Sequence, residues 1–121
     1  MYAWVFVQTT LKNIEMELNK LTEMFKGWVV GNFEPSLYKT DDVEVAVKNY
    51  KAGDKEERHY HKVATEITII TKGMVLMNGI AHNEGDIITI KPGEATDFEA
   101  LSDVTTTVIK IPCVKGDKYI V

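Results

Sequence analysis

Residues 53–73 read GDKEERHYHKVATEITIITKG, with two histidines two positions apart and a glutamate five positions after the second. On an extended strand, side chains at i and i+2 leave by the same face, so His59 and His61 converge while Tyr60 points away. The same period puts Glu66, Thr68 and Ile70 on one face of the next strand. Two imidazoles and a carboxylate on one wall are the donor types that hold a divalent transition metal such as Fe, Mn, Ni or Zn. A single histidine is more often structural. Several such groups desolvated without partners would cost several kcal/mol, and a bound cation would remove that cost.

The flanking sequence predicts strands. Val43, Val45 and Val47 alternate with Glu44, Ala46 and Lys48, which predicts a strand with the valines buried and the other face mostly wet. Residues 51–58 read as a charged loop before the histidines. Asn78-Gly79 predicts a type I′ hairpin between strands over 74–77 and 80–82. Further strands are expected over 86–90, 95–98 and 105–111, with a short last one over 119–121. Many short strands with regular turn signals argue for an antiparallel sandwich or barrel rather than a parallel sheet.

The N-terminal part has a different period. Leu11, Ile14, Leu18, Leu21 and Phe25 recur at steps of three and four, which predicts an α-helix over about 11–25, capped by Thr10 and ended by Gly27. Tyr2, Trp4 and Phe6 share a face of a possible strand over 1–7. The division is therefore an N-terminal extension, 1–27, and an all-β barrel, 28–121.

Written as G-x5-H-x-H-x4-E-x6-G, the segment from Gly53 through His59, His61 and Glu66 to Gly73 resembles the first motif of the cupins. Residues 85–98, GDIITIKPGEATDF, are similar to the second, with Thr96 where the family carries its last histidine ligand and Lys91 where it carries a turn proline. The resemblance implies a jelly-roll β-barrel with a ligand cavity, and His59, His61 and Glu66 as metal ligands. Thr68, Thr96 and Phe98 are expected to line a substrate cavity, with Asp97 facing away. A threonine offers only a neutral hydroxyl, so metal affinity should fall below that of a complete set. Three functions stay open: a metal-dependent enzyme, a non-catalytic ligand-binding or sensor module, and a metal-free nucleotide-sugar epimerase or isomerase. The last would need a tyrosine or second acid in the cavity, and sequence alone does not place Tyr38, Tyr50 or Tyr119 there.

The 121 residues are enough for one domain and too few for two. The net charge of −4, without a basic stripe, gives no support to nucleic acid as a partner. No apolar stretch approaches the ~20 residues of a membrane-spanning helix. A single cysteine, Cys113, excludes an intramolecular disulfide and reads as a small buried hydrophobe, in keeping with a cytoplasmic protein. His82 sits by a turn and reads as a solvated residue, and Glu94 belongs to a turn. An uncovered sheet edge predicts a homodimer.

Overall fold

The computed structural model describes residues 16–121. The described strands are β1 (Trp28–Val30), β2 (Glu44–Tyr50), β3 (Lys55–Tyr60), β4 (Thr65–Lys72), β5 (Met74–Met77), β6 (Ile80–Asn83), β7 (Ile87–Ile90), β8 (Thr96–Ala100), β9 (Val104–Ile111) and β10 (Tyr119–Ile120). They form two five-stranded sheets, in the orders β1-β2-β9-β4-β7 and β10-β3-β8-β5-β6. All pairings between these strands are antiparallel. Apart from the β1–β2 and β5–β6 pairs, successive strands alternate between the sheets, so the sequence wraps both around one interior. The hairpin of β5 and β6 turns at Asn78 and Gly79, both with positive φ, as a type I′ turn requires. No helix among the described residues is long and apolar enough to cross a membrane.

Two expectations change. The helix over 11–25 falls partly outside the described residues. Within the described part, 16–20 carry no regular structure, and Leu21–Glu23 and Phe25–Gly27 are single 3-10 turns. Leu18 is 81% exposed and Phe25 64%, so the apolar stripe lacks the tertiary packing that a short helix needs. The strand proposed over 1–7 lies outside the described residues.

The second correction concerns β2, which turns its polar face inward. Across β2, β9 and β4 the inner rows are Glu44–Lys110–Glu66, Ala46–Val108–Thr68 and Lys48–Thr106–Ile70, with Tyr50 opposite Val104 below them. Ala46 is fully buried, while Val47 faces outward, with its carbonyl packed so closely on Gly27 that a Cβ there would lie 2.0 Å away. Alternation fixes which residues share a face but not which face turns inward.

Those rows divide the interior along the barrel. Ile70, Val75, Met77, Ile90, Phe98, Ala100 and Val104 make an apolar plug at one end, with Tyr50 and Ile88 packed against it. Toward the other end, the same strands carry threonines, lysines, histidines and glutamates around a cavity.

Candidate metal centre

His59 is the penultimate residue of β3, and His61 follows that strand directly. Both are buried, at 8% and 4% exposure, with ring centroids 5.3 Å apart. His59 Nδ1 lies 2.8 Å from the Glu57 carbonyl oxygen, to which it donates. That bond selects the tautomer with a lone pair on Nε2. Glu66 enters from β4 in the opposite sheet, and its Oε1 is 3.8 Å from His61 Nδ1, too far for a hydrogen bond.

One ligand atom from each of the three residues lies within 4.8 Å of the others. Two donors bound to one ion at ~2.0–2.2 Å must lie within about 4.4 Å of each other, so a small contraction would bring all three into range. His61 Nε2 is buried with no hydrogen-bond partner among the described residues. Burial holds the His61 pKa below the ordinary histidine value, and the Lys110 charge adds to this against the pull of Glu66. The ring is thus neutral, the form that binds metal. The donor set fits a divalent first-row metal.

His61 is held through its backbone. Its carbonyl accepts the Gly93 N–H at 2.7 Å, so the Pro-Gly turn of the second motif braces the end of the first. Asp117 accepts backbone N–H bonds from Lys62 at 2.8 Å, Val63 at 3.1 Å and Ala64 at 2.9 Å. Burial alone would raise the Asp117 pKa, but these bonds outweigh it and hold the carboxyl below its usual range.

A cavity of about 240 Å³ lies against the centre, lined by His59, Glu66, Thr68, Thr96 and Phe98 together with Lys48, Tyr50, Glu56, Thr106 and Lys110. Thr68 Oγ1 donates to Glu66 Oε2 at 2.9 Å. Thr96 stands directly opposite His59 across the β3–β8 pair, and its hydroxyl donates to the Asp97 carbonyl at 2.8 Å. Asp97 is turned away and accepts the Asn78 N–H at 2.7 Å. His61 lines a second cavity of about 270 Å³ on its other side, between Trp28, Phe33 and Asp117.

The sequence left Tyr50 unplaced and did not mark Lys48, Glu56, Thr106 or Lys110 as cavity residues. Tyr50 donates its phenolic O–H to Glu56, and its ring packs on Phe98 with centroids 4.6 Å apart. Burial and the Glu56 charge push the Tyr50 pKa far up, so it remains a donor. Glu56 belongs to β3, not to a loop, and a bulge between Glu56 and His59 brings the two onto one face. Strict alternation would have paired His59 with Glu57. Tyr38 is exposed, and Tyr119 stacks on Tyr60, apart from the cavity-lining residues. His82 lies in β6, within the strand expected over 80–82. Glu94 does occupy a turn, where Oε1 accepts the Lys91 N–H at 2.7 Å. Cys113 is buried.

By sequence, no family model and no curated protein matches the chain. Solved structures do match it. An uncharacterized conserved protein with a double-stranded beta-helix domain from Klebsiella pneumoniae is 20% identical with a TM-score of 0.61, over 84% of this chain and 95% of its own. A sugar phosphate isomerase from a cupin superfamily, from Silicibacter pomeroyi, is 22% identical with a TM-score of 0.53, over 58% and 50%. The chain has the cupin fold. The DMSP lyase DddQ from Ruegeria pomeroyi is also similar, at 19% identity and a TM-score of 0.64, with 77% of this chain matching 49% of that one. Structures that share this fold therefore include enzymes of unlike chemistry, and fold alone does not choose among them.

Proposed function

We propose that the chain is a small-molecule-binding cupin whose barrel holds a divalent transition metal, Fe, Mn, Ni or Zn, on His59, His61 and Glu66. The approach of one donor atom each from His59, His61 and Glu66, within 4.8 Å of one another inside the barrel, carries this reading, because a metal would draw all three onto one ion. A bound metal supplies Lewis acidity beside the cavity. The chain's own residues hold His59 in the metal-ready tautomer, fix His61 through Gly93 and Asp117, and shape a wall of Thr68, Thr96 and Phe98 for the ligand. Elemental analysis after purification without chelator, and after loading with each metal, should give about one ion per chain. His59→Ala and Glu66→Gln should lose it. Failure of every metal to load at that ratio ends metal-dependent chemistry here.

A second reading rests on Tyr50 and Glu56, the tyrosine and second acid that metal-free nucleotide-sugar epimerase or isomerase chemistry needs. His59 Nε2 would then serve as base, with the Tyr50–Glu56 pair beside it in the same cavity as the second polar group. A panel of nucleotide sugars in a thermal-shift assay tests it, because binding raises Tm by mass action. Binding of a ligand without turnover, metal-loaded or not, would instead identify a sensor module. Exposed Ile80 and Ile87 on edge strands support pairing of two copies, which light scattering of the purified chain would test.

A further inference from the structure

Lys48 and Thr106 are direct partners across β2 and β9, and both line the cavity. Thr106 is 1% exposed, yet its hydroxyl has no hydrogen-bond partner among the described residues. A buried hydroxyl left in that state costs about 1–3 kcal/mol, which a ligand acceptor would recover. Lys48 is half-buried and has no carboxylate within 4.0 Å among the described residues. Burial lowers its pKa, Glu56 pulls it back up, and Lys110 and Lys118 lower it further.

The other cavity lysines are placed differently. Lys110 Nζ is 3.8 Å from Glu44 Oε1 and stands opposite Glu66, so carboxylates answer its charge. Lys26 and Lys118 are exposed and line the mouth. Trp28 spaces the inner two, with Lys48 Nζ 5.4 Å and Lys110 Nζ 5.0 Å from its ring centroid. Four ammonium groups against Glu56, Glu66 and the Glu44 carboxylate paired with Lys110 leave the cavity positive in a chain of net charge −4. A cleft whose sign opposes that of the whole molecule draws in anions.

We infer that Lys48 and Thr106 form an oxyanion subsite that takes the carboxylate or phosphate group of a small acidic ligand. The inference rests on the barrel cavity being the ligand site proposed above. The cavity's volume of about 240 Å³ lies below the ~300–1,000 Å³ usual for drug-sized ligands, so the acid is small. The ammonium supplies charge and the hydroxyl a directed hydrogen bond, from adjacent strands of one rigid sheet.

The test is calorimetric titration of the full chain with inorganic phosphate, with malonate and with neutral malonamide. Protein treated with chelator is used, so that no metal can account for anion binding, and metal loading is measured separately on the same variants. Phosphate or malonate should bind, and malonamide should not. Lys48→Met should weaken that binding by on the order of tenfold or more, Thr106→Val severalfold, and Lys48→Arg little. The anion with the Lys48-dependent response identifies the group. Equal binding of malonamide, or no change in Lys48→Met and Thr106→Val, overturns the subsite. Lys48-dependent anion binding without metal loading removes the metal centre and leaves the subsite standing; the converse leaves only the metal centre.

Discussion

On β9, Val104 and Lys110 both face the barrel interior, but Val104 is closed in with Ile70, Val75 and Ala100, while Lys110 meets Glu44 and stands opposite Glu66. The same change runs along β4, from Ile70 through Thr68 to Glu66, and along β2, from Tyr50 to Glu44. On β2, β9 and β4 the ladders continue through both regions, and it is β3 that bulges beside the cavity, between Glu56 and His59. Apolar side chains are spent on stability at one end, where each buried branched residue contributes about 1.5–3 kcal/mol. At the other end, half-satisfied polar groups weaken the fold and are retained beside a ligand-sized space. The plug thus acts as foundation, and the cavity as the part that can be altered with little loss of fold.

The largest effect expected from this contrast is at Ile70, which is fully buried in the plug. Ile70→Ala should lose about 2–5 kcal/mol in urea unfolding. Metal stoichiometry in the folded fraction should not change. A loss of metal comparable to that of His59→Ala would show that the two ends are not separable.

Asp117 tests the boundary from the cavity side, because it braces the chain just after His61. Asp117→Ala would strand backbone N–H groups of Lys62, Val63 and Ala64, at a cost of about 1–3 kcal/mol. The folded-state pKa of this carboxyl is depressed. Its contribution is therefore present above the ordinary aspartate value of 3.8 and disappears as pH falls through the lower folded value. Unfolding curves of the wild type and the variant should differ at neutral pH and converge in acid. A gap that widens as pH falls would contradict the assigned sign.

How much of this could be read in the chain depends on the range of each pattern. His59, His61 and Glu66 could be found because strand alternation is local and these residues obey it. Thr96 and Phe98 followed from the same period on β8. Glu56 was hidden by the bulge, which breaks that period by one residue. Lys48 and Tyr50 were hidden because the valines of β2 looked like the buried face, whereas the cavity places the lysine inside. Asp117 acts on backbone more than fifty residues away in sequence, and no local pattern encodes that. The stripe of the N-terminal extension shows the opposite failure. Its helical period is local and clear, but in the described part Leu18 and Phe25 find no packing partner that would hold a helix.

The smallest expected effect is also the most selective, and it concerns Thr96. This side chain leaves β8 directly opposite His59, at the position where the cupin motif carries its last ligand. Directly opposed residues have Cβ atoms about 4.5–5.5 Å apart, so an imidazole at 96 can reach an ion held by His59. The present hydroxyl is engaged with the Asp97 carbonyl and competes poorly with imidazole. Thr96→His should therefore tighten metal binding by about tenfold, or ~1.4 kcal/mol, in competition with a chromophoric chelator. The larger ring should at the same time fill part of the cavity and weaken binding of malonate or phosphate. Tighter metal binding with weaker anion binding would place both on the same wall. Unchanged metal affinity in a folded Thr96→His protein would mean that the ion is not held between His59 and β8, and the missing histidine would then mark a cavity given over to acidic ligands.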